Sequence, residues 1–284
     1  MWMSYHMFCH DTSKHIELIK KVSTILEKLV KIEKINKWFF IRYWIGGPHL
    51  RIRLEANNNL TSEDKKKLLD SLVQMNIENS GFQIKRDLYY SMNKAGLNET
   101  TLEEKDFPWF RSGLVEEIDY IPEVSRYGGD KLISTSETGF YLSSLLSLNF
   151  IELGATNKIL ITSAIMKLIF EKVIGSKYSS SAFNDASLSW RRTFSISDNV
   201  NYSRKISAVV NNDLLDKATK IIEGYPEIRS YITVLRSIRD RLKNDKYFNS
   251  ILFSHYHMFN NRIGISPVME MFIFNSLKKE TELV

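Results

Sequence analysis

The hydrophobic pattern of this chain changes its period along its length, and that change limits the folds open to it. Residues 2–9, 38–45 and 49–55 are short aromatic or alternating runs, which are typical of β-strands. From residue 131 onward the apolar residues recur at helical spacing instead. The sequence therefore predicts an α+β protein in which a sheet-rich region precedes a mostly helical half.

The sheet-rich region has a regular order of elements. Helical spacing covers residues 14–34, and a second helix opens at Thr61 or Ser62 and ends at Gly81. The run 82–90 (FQIKRDLYY) is predicted to be a fourth strand. The resulting order, β-α-β-β-α-β, predicts a ferredoxin-like sheet.

The rest of the chain divides into helices and loops. The predicted helices are residues 131–151, 156–174, 203–223, 226–244, 247–262 and 267–281. Loops are predicted at residues 92–119 and at the Ser- and Asn-rich residues 176–202. We expect one domain over residues 1–284, composed of a sheet-rich half (1–92), a loop (93–129) and a helical half (130–284).

Composition excludes several classes of protein. The net charge of +6 is spread along the chain without a dense Lys/Arg run, which argues against direct binding of tRNA, DNA or a membrane. This excess fits either a solvated lysine-rich surface or a mild field that favours an acidic peptide. The single cysteine, Cys9, excludes a disulfide framework and lies in an apolar run expected in the core. With no signal-peptide pattern and no bilayer-length apolar run, a cytoplasmic location is predicted.

The first segment that contains candidate functional residues is Gly46–Arg53 (GGPHLRIR). Strand alternation places Arg51 and Arg53 on one face, in line with His49. Two adjacent guanidinium groups repel each other unless an anion lies between them, and arginine binds carboxylates in a bidentate fork. The pair therefore predicts an anion clamp. The alternative is a solvated strand face with acidic partners on the neighbouring strands.

Two further segments carry candidate residues. In 120–129 (YIPEVSRYGG), Glu123 and Arg126 are spaced to form an ion pair, although the segment also fits a simple turn before a helix. In 255–262 (HYHMFNNR), His257 and Asn261 share one helical face. His257 can transfer protons near neutral pH, or it can be a packed, hydrogen-bonded histidine. Nucleotide, hydrolase and metal-site motifs are absent, so neither a metal nor a cofactor is expected.

Three segments in this order resemble the C-terminal glutamate-elimination domain of LanB-type lantibiotic dehydratases. The segments are 38–54 (WFFIRYWIGGPHLRIRL), 120–129 (YIPEVSRYGG) and 257–264 (HMFNNRIG), and they follow an opening aromatic strand. When it stands alone, this domain is called a thiopeptide-type bacteriocin biosynthesis protein. In that family a partner domain transfers glutamate from glutamyl-tRNA to Ser or Thr of a precursor peptide. The elimination domain then removes it, which leaves dehydroalanine or dehydrobutyrine.

The resemblance implies a set of site residues. The catalytic residues are expected to be Arg51, Arg53, Arg126 and His257, all converging on one cleft. The residues expected to support them are Glu123, His49, Asn261 and Arg262. His257 is the natural base for the Cα proton, and Glu123 is expected to orient its neighbours.

The resemblance also implies partners and competing functions. The chain lacks the long glutamylation region, so we expect a separate tRNA-dependent protein to supply the glutamylated precursor. The leader of that precursor is expected to add to an edge of the sheet, for which strand 2–9 is one candidate. The alternatives are a pyridine-forming [4+2] cyclase with the same fold and a non-catalytic precursor-binding subunit.

Overall fold

A computed structural model describes residues 1–93, 104–175, 179–194, 200–242 and 244–282. The chain forms two compact units, Met1–Ile121 and Pro122–Val284. The boundary between the units lies inside segment 93–129, which the sequence predicts to be a loop. The first unit contains the sheet and the second is helical, so the predicted α+β class and its sheet-then-helix order are confirmed.

A four-stranded antiparallel sheet is the centre of the first unit. Its strands are β1 (Trp2–Phe8), β2 (Ile35–Tyr43), β3 (His49–Ala56) and β4 (Val115–Glu117). Their order across the sheet is β2-β3-β1-β4. The helices of this unit are α1 (His15–Lys31), α2 (Ser62–Glu78) and α3 (Arg86–Met92). The helix predicted to open at Thr61 or Ser62 is confirmed: Thr61 caps it in a capping box with Asp64, and it ends at Glu78, before Gly81.

Alternation along β3 gives the sheet two different faces. Leu50, Ile52 and Leu54 are buried on the first face, against which α1 packs. Trp38, opposite Leu54 on β2, donates its indole N–H to Glu27 of α1. The second face carries Arg51 and Arg53. Cys9, at the end of β1, is fully buried as expected.

The fourth strand predicted at residues 82–90 is wrong. The chain has no regular structure before Arg86 and then forms α3. The Tyr90 hydroxyl accepts the Gly46 N–H at 3.0 Å and donates to the Pro108 carbonyl at 3.1 Å. Because this aromatic anchoring holds the segment as a helix, the sheet is completed by β4, from within the predicted loop 92–119. The ferredoxin-like assignment is therefore not confirmed, and residues 94–103 of that loop lie outside the described residues.

The position of β1 corrects a second expectation. β1 pairs with β3 on one side and with β4 on the other, so it is an inner strand of the described sheet. Strand 2–9 is therefore not an edge that can receive an added peptide strand, because its backbone groups already pair on both sides. The outer strands of the described sheet are β2 and β4.

The second unit consists of packed helices. They are α4 (Ile133–Leu148), α5 (Ala155–Ile169), α6 (Ser179–Phe194), α7 (Val200–Val209), α8 (Asn212–Glu223), α9 (Pro226–Arg241), α10 (Asp245–Ile263) and α11 (Pro267–Glu282). A π-helical turn, Phe170–Ile174, extends α5. The predicted helix 203–223 is two helices, because Asn211 caps a new one.

The loop predicted at residues 176–202 is wrong over most of its length. Residues 179–194 form α6, whose Ala182, Phe183 and Ala186 are buried. The Phe183 ring lies 6.2 Å from that of Phe274 in α11. The abundant serines of this segment surround the apolar stripe and give it a loop-like composition. Residues 176–178 and 195–199 of the same segment lie outside the described residues.

No helix within the described ranges is both long and apolar enough to cross a lipid bilayer. Across the same part of the chain, no three His, Cys, Asp or Glu side chains come together as a group suited to a metal ion.

Candidate active site

The arginine pair of β3 is the first part of the site. Arg51 and Arg53 lie on one face with His49, as strand alternation predicts, and β1 places His6 opposite Arg51 and Ser4 opposite Arg53. On β2 the residues opposite the two arginines are Ile41 and Phe39. None of the four directly opposite residues is acidic. The cross-strand acidic partners of the alternative interpretation are thus not found at these positions.

Aromatic rings hold both guanidinium groups. The central carbon of the Arg51 guanidinium lies 3.3 Å from the centre of the Tyr43 ring. That of Arg53 lies 4.5 Å from the Tyr120 ring centre and 5.6 Å from that of Phe39. A guanidinium stacked on a ring keeps its N–H groups in the ring plane, where they can form hydrogen bonds to a carboxylate. The face is therefore cationic, half-buried and geometrically restrained.

His49 orients Arg51 through its tautomer. Its Nδ1 lies 2.8 Å from the Gly47 carbonyl oxygen, which can only accept, so Nδ1 carries the proton. The other nitrogen, Nε2, is then free to accept the Arg51 Nε–H at 3.3 Å. Gly47 has φ +105°, and a Cβ there would lie 2.8 Å from His10 Nε2, so the turn before β3 requires glycine.

The histidines of this face are neutral. Burial lowers the pKa of His49 to about 3, and the charge of Arg51 acts in the same direction. Burial and the same arginine charge lower the pKa of His6 to about 2, and the His6 and His49 rings stack 5.0 Å apart. Because neither histidine is charged near neutral pH, the positive field of this face comes from Arg51 and Arg53.

The loop 120–129 provides the next candidates, in the second unit. Arg126 donates to Glu123 at 2.9 Å, so the predicted ion pair is present. Arg126 Nε also donates to the Ser254 hydroxyl of α10 at 3.1 Å. The Tyr247 hydroxyl of α10 donates to the Ser125 carbonyl at 2.6 Å. The loop, which ends at Gly128 in the left-handed region and leads into α4, is thus docked on α10.

Arg126 and His257 face one cavity of about 450 Å³. It lies between the 120–129 loop, α6, α10 and α11. The side chains of its described lining are Arg126, Ala182, Asp185, Ala186, Ser189, Trp190, Lys246, Asn249, Ser250, Phe253, Ser254, His257 and Phe274. The structure therefore brings together two of the four predicted catalytic residues, while Arg51 and Arg53 belong to the first unit.

A buried carboxylate holds His257. Its Nδ1 lies 2.8 Å from Glu270 Oε1, and Glu270 is completely buried. The other carboxylate oxygen accepts the Trp190 indole N–H at 3.1 Å, and the Trp190 and His257 rings lie 4.8 Å apart. Sequence reasoning missed Glu270 and Trp190. The available signal was the short turn after α10, which returns the first turn of α11 past His257.

The remaining predicted residues lie elsewhere in the second unit. Arg262 is fully buried and donates to Ser144 at 2.9 Å and Ser143 at 3.2 Å, which ties α10 to α4. Neither Arg262 nor the half-buried Asn261 belongs to the described lining of the cavity. Burial lowers the pKa of His255 to about 3, and no described group forms a hydrogen bond with its ring nitrogens. His255 is a core residue of the helical unit.

Comparison with known proteins identifies the family. Residues 2–281 match the family described as "Lantibiotic biosynthesis dehydratase C-term". The chain belongs to this family. The match extends over both units and includes Arg51, Arg53, Arg126 and His257, so the predicted resemblance is confirmed.

Individual relatives agree with this lantibiotic dehydratase assignment. The chain is 29% identical over 175 residues to the epidermin biosynthesis protein EpiB of Staphylococcus epidermidis, which covers 57% of this chain and 17% of EpiB. The pyridine synthase TbtD from thiomuracin biosynthesis has a TM-score of 0.68 at 14% identity, with 100% of this chain and 98% of TbtD covered. The tRNA-dependent lantibiotic dehydratase MibB of Microbispora sp. 107891 has a TM-score of 0.55 at 16% identity, with 99% and 28% covered.

The relatives differ in how much of their own length this chain covers. The chain spans only 17% of EpiB and 28% of MibB, but it spans nearly all of TbtD. At these identities the two structural likenesses show a shared fold alone. The dehydratase C-terminal fold therefore occurs both as part of a much longer protein and as most of a chain of this size.

Proposed function

We propose that this protein removes glutamate from glutamylated Ser or Thr residues of a ribosomally made precursor peptide, which leaves dehydroalanine or dehydrobutyrine. The observation that carries the proposal is His257, whose Nδ1 is held by a buried carboxylate at the wall of a cavity shared with Arg126. A histidine fixed in this way has one ring nitrogen left for proton transfer. Membership of the dehydratase family supports the reaction class.

The chemistry requires a base and stabilised negative charge. The base takes the Cα proton, the electron pair forms the Cα–Cβ double bond, and the Cβ–O bond breaks so that glutamate leaves as a carboxylate. A peptide Cα–H is a weak acid, so the developing enolate oxygen needs preorganised donors. We assign the base to His257 through Nε2, because Nδ1 is already engaged by Glu270.

The arginines are assigned to the anions of the reaction. Arg51 and Arg53, held by rings and by His49, are suited to bind a carboxylate or an enolate oxygen. Arg126 places a cation at the wall of the cavity that contains His257, and Glu123 orients it. That Arg51 and Arg53 meet the same substrate as Arg126 and His257 stays a prediction.

The proposal also names partners. The substrate is a precursor peptide with its leader, glutamylated by a separate tRNA-dependent protein, and the protein acts in the cytoplasm without binding tRNA or DNA itself. Support comes from the modest net charge of +6 and the absence of a dense Lys/Arg run. Titration with leader peptide and with glutamyl-tRNA in parallel tests this point. Salt-sensitive tRNA binding without leader binding contradicts it.

The central experiment follows the mass of a peptide. Purified protein is incubated with glutamylated precursor, and each modified residue is expected to lose glutamic acid and gain a double bond. His257→Gln should leave the glutamylated peptide unchanged, with a loss of about 10²–10⁴-fold in rate. Ser207→Ala, which removes a hydroxyl that contacts Ser276 away from the cavity, is the control and should retain full rate. A wild-type protein that leaves glutamylated peptide intact refutes elimination.

A second candidate is formation of a pyridine ring from two dehydroalanines. The observation that favours it is the likeness to TbtD, a pyridine synthase, over 98% of that chain. A cyclase acts on a peptide that is already dehydrated, so the same protein is tested with such a peptide. Ring formation there, together with inactivity on the glutamylated precursor, favours the cyclase. Binding of both peptides without any mass change favours a precursor-binding subunit.

A further inference from the structure

His257 lies at the end of a chain of three hydrogen-bonded side chains that come from three helices. Trp190 of α6 donates to Glu270 of α11, and Glu270 contacts His257 of α10. Glu270 has no exposed surface, and the imidazole itself is only 13% exposed. A completely buried carboxylate is unfavourable unless its hydrogen bonds are satisfied, and here each of its oxygens has a partner.

The Trp190 indole determines which oxygen of the Glu270 carboxylate faces His257. An indole nitrogen can only donate, so Glu270 Oε2 must accept from Trp190. The second oxygen, Oε1, then faces His257 Nδ1 at 2.8 Å. An ionised carboxylate has no proton to donate, so the proton of this contact lies on Nδ1 and the lone pair lies on Nε2. Only that tautomer has Nε2 available as a base.

We propose that Glu270 is a positioning residue that holds the His257 imidazole in its Nδ1–H tautomer, while Trp190 fixes which carboxylate oxygen faces the ring. The inference rests on the proposed role of His257 as the base, and it adds the carboxylate that directs the proton to one nitrogen. Neither residue needs to touch the substrate. Trp190 sets the direction of the carboxylate, and the carboxylate sets the tautomer.

One substitution, Glu270→Gln, is expected to reverse the His257 tautomer without removing the hydrogen bonds. In Glu270→Gln the introduced amide has one oxygen, and Trp190 requires that oxygen as its acceptor. The amide NH₂ then faces His257 Nδ1, which must become an acceptor, so the ring proton moves to Nε2. We expect kcat to fall by about 10²-fold or more with little change in KM, because the base is lost but the cavity is kept.

A second substitution restores the tautomer. In Trp190→Phe combined with Glu270→Gln the indole donor is gone, so the amide can rotate and present its oxygen to Nδ1–H. We expect the double variant to recover at least about tenfold of the lost rate. Trp190→Phe alone should keep the Nδ1–H tautomer, because either carboxylate oxygen can accept that proton, and its rate is the reference for the double variant because Trp190 also lines the cavity. Glu280→Gln, which removes a hydrogen-bonded carboxylate from the same helix α11, is the matched control and should change the rate less than about twofold.

The decisive measurement needs no substrate. Long-range ¹H–¹⁵N spectra of histidine-labelled full chain, with His257 assigned from His257→Gln, distinguish the two tautomers. We expect Nδ1–H in the wild type, Nε2–H in Glu270→Gln and Nδ1–H again in the double variant. Thermal unfolding checks that each variant is folded.

The outcomes separate this inference from the proposed function. A wild-type ring protonated at Nε2 overturns the inference without any variant, even if Glu270→Gln fails to fold. Unchanged tautomer in a folded Glu270→Gln, or a double variant identical to the single one, also overturns it. The expected tautomers in a protein that does not act on glutamylated peptide uphold the positioning inference and refute the elimination.

Discussion

The sheet of the first unit and the cavity of the second arrange polar side chains in contrasting ways. Arg51 and Arg53 are two positions apart on one strand, and the residues that restrain them come largely from the same sheet. His257, in contrast, depends on Glu270 and Trp190 from two other helices. An anion-binding face can therefore be built from local alternation, whereas a directed proton acceptor requires tertiary packing.

The histidines of the two regions show the same contrast. His49 donates to a backbone carbonyl two residues away and accepts from a cation, and burial lowers its pKa to about 3. His49 is therefore a neutral residue that positions Arg51 through a hydrogen bond. His257 contacts a carboxylate instead, and its Nδ1 lies 2.8 Å from Glu270 Oε1. The partner of the ring, more than its burial, separates the structural histidine from the candidate base.

The largest expected effect tests whether the sheet face takes part in chemistry. Arg53→Ala should let glutamylated peptide accumulate, with a loss of about 10²–10³-fold in elimination rate, because one preorganised donor is removed. Arg53→Lys should also be poor, since an ammonium cannot reproduce the planar fork stacked on Tyr120. Mass spectrometry of the peptide measures both, and the control Arg111→Ala, at an exposed position of the same unit, should behave as wild type. Normal turnover by folded Arg53→Ala would remove the sheet face from the mechanism.

Acid should affect the first unit through several buried histidines. Burial lowers the pKa of His6, His49 and His15 to about 2, 3 and 4, which are below the value of an unfolded histidine. Between about pH 6.5 and those values the unfolded chain binds protons that the folded chain does not. The contribution of each neutral buried histidine to the free energy of unfolding is therefore fully present above about pH 6.5. It is lost as the pH falls toward the folded pKa, by up to about 1.4 kcal/mol per pH unit for each histidine.

Urea unfolding at about pH 7 and about pH 5 measures this loss. His49→Gln should reduce the pH dependence by the share of one histidine, and His255→Gln should do the same for the second unit, where burial lowers the pKa of His255 to about 3. Arg111→Gln, which removes no histidine from the same unit, is the control. A pH dependence that is the same in all four proteins would show that these histidines do not titrate differently on unfolding.

The smallest effect concerns the ion pair of the second unit. Both partners are exposed, Arg126 by 39% and Glu123 by 59%, so Glu123→Gln should lower the free energy of unfolding by less than about 1 kcal/mol. The elimination rate should fall more than the stability does, because Arg126 loses the group that orients it at the cavity. If Glu123→Gln lowered the free energy of chemical unfolding by several kcal/mol, the ion pair would instead have a mainly structural role in holding the loop.

Sequence patterns determined a large part of this protein. Alternation in 49–55 placed Arg51 and Arg53 on one face, because successive strand residues point to opposite sides whatever covers them. Helical spacing located most helices of the second unit, and it placed the start of α2 at Thr61 or Ser62. The family was recognised from three short segments, and the match over residues 2–281 confirms it.

Tertiary structure decided the rest. The run 82–90 alternates like a strand, yet Tyr90 is anchored by Gly46 and Pro108 and the segment forms α3 instead. Glu270 resembles any acidic residue in the first turn of a helix until packing buries it between His257 and Trp190. Periodicity states which side of an element a residue occupies, but the element that covers that side is selected by long-range packing. The partners of His257 therefore became visible only in the folded chain.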